Sequence, residues 1–375
     1  MKNLRFCLVL FAAVFTALHG GCTSEKKSQG TDSISILTWN VHNLFDGEDN
    51  GYEYAQFRQA AGWSKEKYLG RLNTLSAAIG KIEPRPDIIL FQEIENFQVL
   101  EDIARVLPRG YFWGHFVNNP RSAIGLGVLS RFPITGAKAH SININGNAIP
   151  RPVHEIRVQI ENKEQKGQNE LVIFNNHWKS KIGGADATEP LRMAAAAIIV
   201  RRIHELRKTE PELGIIIAGD LNLNYNDFYR RGSNLICALM PDAPYTVELT
   251  GAVQLDFIVI TGNIPPVPVY FPQCTVILFS PWMDERPASR LEKGSYFFRN
   301  NWETIDHFLL CKRFFRIAGQ ESLEPWRYWK YDRTVLIDFE PFTRSNGLPN
   351  PYNPRTGHGI SDHLPLLLTL RSVNQ

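Results

Sequence analysis

The chain has 375 residues, of which 43% are hydrophobic and 21% charged, a balance typical of a globular protein with a large core. Its formal net charge is +3, and because Lys2 and Arg5 are the only charged residues among the first 21, residues 22–375 carry only +1. This near-neutral balance argues against a protein that holds nucleic acid by bulk charge, although a small basic cleft is compatible with it.

The N-terminal segment has the features of an export signal. Lys2 and Arg5 precede an apolar run at residues 6–18, which is too short to span a bilayer as an ordinary helix. Cys22 follows in a pattern that resembles a bacterial lipoprotein signal, although Leu18 stands four residues before the cysteine where three is usual. We therefore expect Cys22 to be lipidated, the alternative being an ordinary cleaved signal peptide.

These features divide the chain into three predicted segments. Residues 1–22 form the signal peptide, residues 23–33 a polar, flexible tether, and residues 34–375 a single folded domain. The mature protein is then exported and lipid-anchored to a bacterial membrane, at the outer membrane or cell surface. No CxxC pair is present, so there is no thiolate zinc site to predict, and the remaining cysteines are expected to be buried free thiols, the alternative being one disulfide among them.

Apolar residues recur with strand and helix periods along the rest of the chain. The predicted strands are residues 33–41, 87–91, 123–130, 153–160, 170–175, 214–218, 258–260, 305–310 and 364–370. Helices are predicted at residues 64–82 and 188–208, with Ser64 and Thr188 as N-caps, whereas residues 225–295 show no clear period. The order of elements predicts either two packed sheets covered by helices or one sheet with helices on both faces.

Polar residues follow four of the apolar strand segments, and a fifth polar group precedes the last strand. The five groups are Asn40, Gln92-Glu93, Asn175-Asn176-His177, Asp220-Leu221-Asn222 and Asp362-His363. One strand followed by a polar turn is ordinary, but polar groups at several strand ends can converge on one sheet edge, where α/β proteins build their sites. Five such groups together predict a functional site.

The same segments resemble the motifs of a known family. The motifs are Trp39-Asn40-Val41-His42-Asn43-Leu44-Phe45-Asp46, Gln92-Glu93-Ile94-Glu95-Asn96, Asn176-His177-Trp178-Lys179-Ser180, Gly219-Asp220-Leu221-Asn222 and Ser361-Asp362-His363-Leu364-Pro365. In this order they resemble those of the endonuclease/exonuclease/phosphatase superfamily, which includes pancreatic deoxyribonuclease and inositol-polyphosphate 5-phosphatases. The resemblance implies a deoxyribonuclease-I-like α/β fold, a four-layered α/β/β/α sandwich, with residues 34–375 as one catalytic domain.

The resemblance also implies a divalent metal. Glu93 would be its principal ligand, with Asn40 beside it and Asp362 near the metal or the attacking water. Carboxylate and amide oxygens suit a hard cation, so Mg²⁺ or Mn²⁺ is expected rather than Zn²⁺. The enzyme that the resemblance implies is therefore a metal-dependent phosphoesterase.

The catalytic residues that the resemblance implies lie in the same motifs. Asp220 would orient or deprotonate the attacking water, and Asn222 would hold the phosphoryl oxygens. His177 and His363 would donate hydrogen bonds to the phosphate as negative charge builds. In this family an aspartate partners the last histidine and keeps it in the right protonation state.

Two aspartates could be that partner of His363. Asp306 lies in a segment that resembles bacterial members of the family and is favoured, but Asp256 fits almost as well locally. Arg151 resembles a family arginine that faces the phosphate, a role that suits its bidentate hydrogen bonding. The alternative for Arg151 is a solvated arginine at a strand end.

Further residues near the motifs have weaker support. Asn176 and Lys179 are expected to contact the substrate, and Arg192 could do so as well. For Lys179 and Arg192 the alternative is ordinary surface charge. His42 has no support beyond its neighbours and is interpreted as structural or exposed.

Three functions remain open on the sequence alone. The first is an exported, nuclease-like phosphodiesterase whose phosphoester substrate is nucleic acid. The loop tryptophans that could stack on its bases, or else be buried, are Trp63, Trp113, Trp282 and Trp302. The second is a phosphatase or phosphodiesterase of inositol phosphates or phospholipid head groups, which a surface location favours. The third, a non-catalytic binding protein, is disfavoured because Glu93, Asp220 and His363 are all present. In each case we expect a monomer.

Overall fold

The structure is a computed structural model that describes residues 32–372 except 109, 121, 145, 162–167, 234, 244–256, 267–275 and 316–328. Its strands are β1 Ser33–Leu44, β2 Ile88–Ile94, β3 Trp113–Val117, β4 Gly125–Ser130, β5 Ile134–His140, β6 Asn143–Ile144, β7 Asn147–Ala148, β8 Val153–Glu161, β9 Gln168–His177, β10 Gly214–Asp220, β11 Leu239–Pro241, β12 Ile258–Thr261, β13 Ile277–Phe279, β14 Tyr296–Phe298, β15 Asn301–Glu303, β16 Asp306–Leu310, β17 Trp329–Leu336 and β18 Leu366–Ser372. Its α-helices are α1 Lys65–Ile79, α2 Phe97–Val106, α3 Ala185–Thr209 and α4 Asp227–Arg230.

Two large sheets form the centre of the fold. Sheet A has six strands in the order β17-β18-β1-β2-β4-β3, and sheet B has eight in the order β11-β12-β13-β16-β10-β9-β8-β5. The sheets pack face to face, with Ile36 and Leu90 of sheet A in the same buried cluster as Ile173 of sheet B. The pairs β6-β7 and β14-β15 are separate hairpins.

Helices cover the outer faces of both sheets. Leu72 of α1 and Ile103 of α2 pack in one buried cluster with Leu37 and Ile89 of sheet A. Ile199 of α3 packs against sheet B. The layers are those of an α/β/β/α sandwich, which confirms the fold that the resemblance implied and excludes the single-sheet alternative.

The residue pattern of β1 shows how the sequence builds these layers. Successive side chains of a strand point to opposite faces of the sheet. Ile34 and Ile36 join the cluster between the sheets, whereas Leu37 and Trp39 join the cluster under α1 and α2. Asn40 continues the first series, so its side chain enters the gap between the sheets, where it reaches sheet B.

Among the described residues, two of the four α-helices and nine of the eighteen strands are absent from the predicted elements. α1 has the N-cap expected at Ser64. α3 begins at Ala185 instead of Thr188, because the Thr188 hydroxyl donates to the Gly184 carbonyl at 2.7 Å and does not cap the helix. α2 is absent from the predicted elements, although its N-cap, Asn96, is a signal that the sequence contains.

The predicted signal peptide, its lipidated Cys22 and most of the tether lie outside the described residues. Within the described ranges, no helix combines the length and apolar character needed to cross a membrane. Cys237 and Cys311 are buried free thiols, and Cys274 lies outside the described residues. The division of the chain into three segments therefore stays a prediction.

Candidate active site

Three neighbouring strands of sheet B bring three of the predicted catalytic residues side by side. β10 is parallel to β9, with Asp220 opposite His177, and antiparallel to β16, with Asp220 opposite Asp306. Residues directly opposite on paired strands share a face of the sheet. Gly219 permits this close pairing, because its φ is 119° and a Cβ there would lie 2.1 Å from the Asn176 carbonyl oxygen.

His363 and Asp306 form a buried pair. The imidazole Nδ1 of His363 donates to Asp306 Oδ2 at 2.8 Å. The Ser295 hydroxyl donates to the same oxygen at 2.6 Å, and the Trp39 indole N–H donates to the His363 carbonyl at 3.1 Å. Asp306 is therefore the aspartate in contact with His363, as the family pattern favoured, and Asp256 lies outside the described residues.

The pKa values of the two histidines of the site are shifted in opposite directions. Burial alone would lower the pKa of His363, but the carboxylates of Asp306, Asp362 and Asp220 outweigh burial and hold that pKa well above its usual value. Burial and nearby positive charges hold the pKa of His177 well below its usual value. At neutral pH His363 is therefore a cation, whereas His177 is a neutral imidazole.

Asp220 lies within reach of both sheets. Its Oδ2 accepts from Asn40 Nδ2 at 3.1 Å and lies 3.5 Å from His177 Nε2. Burial raises the pKa of this carboxyl, an effect that His363 opposes and Asp306 strengthens. A carboxylate with a raised pKa is a stronger base than a solvated one, which suits Asp220 to take a proton.

Sheet A brings Glu93 to the site through a break in strand regularity. On β2, Leu90 packs between the sheets and Phe91 packs under the helices, so regular alternation would direct Glu93 toward the helices. Instead, Glu93 has a φ of 64°, and the pairing of β2 with β4 shifts register at this point. The bulge re-aims the carboxylate, which accepts from Asn40 Nδ2 at 3.1 Å.

A second left-handed segment follows Asn40 on β1. His42 and Asn43 have φ values of 58° and 60°. The buried Arg71 guanidinium, from α1, donates to the carbonyls of Val41, His42 and Asn43 at 2.5, 2.6 and 2.6 Å. Arg71 thus holds the unusual backbone that directly follows the predicted metal ligand.

This backbone places His42 beside the predicted metal ligands. Its Nδ1 lies 3.7 Å from Asp362 Oδ1 and, among the described residues, is buried without a hydrogen-bond partner. Burial lowers the pKa of the imidazole, although the carboxylates of Asp362 and Glu93 oppose that effect, so His42 is neutral at neutral pH. The interpretation of His42 as a residue outside the site is therefore corrected.

Glu93 and Asp362 supply two carboxylates for a metal, and carboxylate oxygens are donors that hard divalent cations prefer. Asn40 turns its amide Nδ2 toward Glu93 and Asp220, and its Oδ1 accepts from the His42 N–H at 3.0 Å, so Asn40 would bind the metal through Oδ1 only with its amide turned over. His42 Nδ1, beside Asp362, has no hydrogen-bond partner among the described residues, whereas buried polar atoms in native proteins normally have one. The residues present therefore fit a divalent cation at this end of the site.

A second group of side chains is close enough to hold an ion. One donor atom from each of Asp220, Asp306 and His363 lies within 4.8 Å of the others. In this group the His363 imidazole donates to Asp306, and neighbouring carboxylates hold its pKa well above the usual value. A protonated imidazole has no free lone pair for a metal, so the hydrogen-bonded pair fits this group better than an ion does.

The predicted substrate-binding cations lie around this cluster. Arg151 donates to the Trp178 carbonyl and acts electrostatically on His177. Burial, and then the charge of Arg151, lowers the pKa of Lys179, so the two cations are neighbours. Asn222 Nδ2 donates to the same Trp178 carbonyl at 3.1 Å. The structure thus brings Arg151, Lys179 and Asn222 together beside His177.

Two residues expected near the substrate are used inside the protein instead. Asn176 is fully buried; its amide donates to two strand carbonyls at 2.8 and 3.2 Å, and its Oδ1 accepts from the Trp178 indole at 3.1 Å. Arg192 is also fully buried and donates to Glu189 at 2.8 Å. Asn176 therefore has a structural role in place of a substrate contact, and Arg192 is neither a surface charge nor a substrate ligand.

The tryptophans that could stack on bases are divided among different environments. Trp63 and Trp282 are buried. Trp113 is the first residue of β3. It pairs with Ser130 of β4, as does Ile88, the first residue of β2, so Trp113 lies at the far end of sheet A from Glu93. Trp302 is half-buried and lines a cavity of about 1070 Å³ whose wall also includes Thr304, close to Asp306 in the chain.

Comparison with known proteins identifies the family. The sequence profile of the Endonuclease/Exonuclease/phosphatase family matches residues 35–232, more than half of the chain. The chain belongs to this family. The family's enzymes are phosphoester hydrolases that use divalent metals, so the protein is a metal-dependent phosphoesterase. A search of curated proteins finds no significant match to the sequence.

Solved structures with the same fold cover nearly the whole chain. An endonuclease/exonuclease/phosphatase family protein from Bacteroides thetaiotaomicron is 13% identical, with a TM-score of 0.50, over 92% of this chain and 98% of that chain. TDP2 from C. elegans is 12% identical, with a TM-score of 0.50, over 92% of this chain and 78% of that chain. At such low identity the likeness shows the fold, in agreement with the two-sheet architecture.

Proposed function

We propose that the protein is an extracytoplasmic, nuclease-like phosphodiesterase that uses Mg²⁺ or Mn²⁺. The observation that carries this proposal is the meeting of a protonated His363, a basic Asp220 and the cations Arg151 and Lys179 at one edge of the two sheets. An anionic ester held there would have a proton acceptor, a hydrogen-bond donor and fixed positive charge within one small volume.

The oxygen donors of Asn40, Glu93 and Asp362 are the residues that would hold the metal. Mg²⁺ and Mn²⁺ are the divalent cations that prefer such donors. A bound divalent cation would polarise a phosphoryl oxygen and offset the charge that develops in the transition state.

The chain's own side chains then have separate tasks. Asp220 accepts a proton from the attacking water, for which its raised pKa suits it. The protonated His363, oriented by Asp306, donates a hydrogen bond to a phosphoryl oxygen, and neutral His177 donates a second one. Arg151 binds the phosphate by charge and by its paired N–H groups.

The alternative substrate class is an inositol phosphate or a phospholipid head group, which the predicted cell-surface location favours. We test it together with the proposal by incubating the chain lacking residues 1–22, with Mg²⁺ or Mn²⁺, on supercoiled plasmid, bis-p-nitrophenyl phosphate and phytate. The proposal expects plasmid nicking and diester hydrolysis that EDTA and His363→Ala both abolish. Phosphate release from phytate with the plasmid intact would support the alternative instead. No reaction with any substrate and several metals would indicate a binding protein without activity.

We also propose that lipidation of Cys22 anchors the protein to a bacterial membrane. The support is the short apolar run that precedes this cysteine and the polar segment that follows it. Expressed in bacteria, the full chain should fractionate with membranes, and Cys22→Ser should move it to the soluble periplasmic fraction. The same fractionation of both proteins would contradict the anchor.

A further inference from the structure

The hairpin of β14 and β15, here called the aromatic hairpin (Tyr296–Glu303), is joined directly to the backbone of the catalytic histidine. Tyr296 forms an antiparallel bridge with His363, and the Leu364 N–H donates to the Ser295 carbonyl at 2.7 Å. The strands connect through two residues, Arg299 and Asn300, whose φ values are 48° and 62°. Left-handed conformation at both positions is typical of the tight turn that matches strand twist, so the hairpin is well defined.

The hairpin presents a series of rings that begins at the catalytic imidazole. The Tyr296 ring centroid lies 4.7 Å from that of His363, with an interplanar angle of 32°. The Phe298 ring follows at 6.2 Å from Tyr296 and is nearly parallel to it, at 19°. Phe298 is the last ring of the series and is 50% exposed to solvent.

Exposure of Phe298 forgoes much of the stabilisation that full burial of such a side chain provides. A single exposed apolar residue is ordinary on a protein surface. Phe298 differs in that its ring is nearly parallel to that of Tyr296, which itself contacts the His363 imidazole. This arrangement provides an apolar face one ring further from His363 than Tyr296.

We infer that Phe298, with Tyr296 behind it, is a stacking subsite for a nucleobase of the substrate. The inference rests on the proposed function, because it assumes that the phosphate lies at His363. Aromatic side chains stack on any base, since every base has a π-face, so this subsite would favour nucleotides over other phosphodiesters without reading their sequence.

The neighbouring charge distinguishes a nucleobase from the head groups of the alternative substrates. The Arg299 guanidinium lies over the Phe298 ring, with its Cζ 5.1 Å from the ring centroid, so a stacked base would displace it from that face or stack beside it. This cation would repel a quaternary ammonium group, although aromatic rings alone would attract one. Inositol is saturated and has no π-face to stack. A planar, neutral base fits both the ring and the cation, because guanidinium groups also stack on aromatic systems.

The test compares two substrates that differ only in the base. Thymidine 5′-(p-nitrophenyl phosphate) carries one, and the matching 1,2-dideoxyribose 5′-(p-nitrophenyl phosphate) does not, so leaving group and sugar are the same. For the wild-type mature chain with Mn²⁺, we expect KM to be about tenfold lower with the base. Phe298→Ala and Phe298→Leu should bring the ratio of the two KM values close to one, whereas Phe298→Trp should keep it.

The matched control is Phe112→Ala. Phe112 is similarly exposed, at 57%, but directly precedes β3 at the far end of sheet A, so its removal should leave the wild-type ratio. If both substrates react and Phe298→Ala keeps the ratio, the subsite is wrong while the proposed function stands. Reaction of neither substrate would reject the proposed function and the subsite together. Hydrolysis of p-nitrophenyl phosphocholine that depends on Phe298 would assign the ring to a head group and overturn the inference.

Discussion

On sheet B, His177, Asp220 and Asp306 stand side by side because β9, β10 and β16 run in unbroken register to the edge of the sheet. On sheet A, Glu93 reaches the same site only through a left-handed residue and a shift in strand pairing. Asn40 joins the two halves, because its amide donates to both Glu93 and Asp220.

The difference assigns the halves to different tasks. In the proposed function, the half on sheet B holds the groups that move or share protons, and ordinary strand pairing is enough to align them. The half on sheet A holds the proposed metal ligands, and their aim depends on a bulge and on Arg71, which holds the adjacent backbone from a helix. Irregular backbone is common next to active sites, where it re-aims a side chain that regular pairing would direct elsewhere.

The largest expected effect comes from the half on sheet B. Asp306→Ala removes the partner of His363 and should lower kcat for bis-p-nitrophenyl phosphate by about 10²–10⁴-fold, because the imidazole loses both its orientation and its charge. Asp256→Ala is the control and should retain activity, with the melting temperature of both variants measured alongside. Loss of activity in Asp256→Ala with an active Asp306→Ala would reverse the assignment.

The half on sheet A should respond through the metal. Arg71→Met leaves three carbonyls, one buried and two partly buried, without their donor, which should weaken Mn²⁺ binding by about 10–100-fold and reduce stability by roughly 3 kcal/mol. Calorimetric titration with Mn²⁺ measures the first effect and urea unfolding the second. Arg71→Lys should be intermediate, because it keeps the charge but lacks the fork that reaches several carbonyls. Unchanged Mn²⁺ affinity in Arg71→Met would show that Arg71 does not control this half.

The smallest expected effect concerns Glu155 on sheet B, away from the site. It bears on the stability of the protein and not on the chemistry of the site. Burial alone would raise the pKa of Glu155, but hydrogen bonds from His140 and Arg202 outweigh burial and lower it to about 2, from an ordinary value of 4.5. A lowered folded-state pKa stabilises the protein above pH 4.5, and the contribution is lost as pH falls from 4.5 toward 2. Glu155→Gln should therefore be less stable than wild type at pH 7, by on the order of 2 kcal/mol, with the gap closing below pH 4.5. Urea unfolding across this range measures it, and a gap that does not change with pH would contradict the assigned cause.

Much of the half on sheet B could be predicted from the sequence. An apolar strand that ends in a polar residue reveals both the strand and its last side chain, so Asp220 and His177 were identifiable before their pairing was known. The limit of such reasoning is shown by Asn176, which has the same position at a strand end but points its amide into the protein. Successive residues of a strand point to opposite faces of the sheet. Only the residues that pack against each face determine which of the two faces carries the site.

The sequence by itself determined the residue types of the site, because they stand in motifs at strand ends. The resemblance of these motifs to a family implied the two-sheet fold, whereas local periodicity alone left one sheet or two open. The tertiary structure alone decided how Glu93 is aimed, that His42 and Arg71 belong to the site, and that His363 is charged while His177 is neutral. Each of these depends on burial or on charges from residues distant in the chain. Phe298 belongs with them, because its place next to Tyr296 in the series of rings that starts at His363 depends on the bridge between Tyr296 and His363.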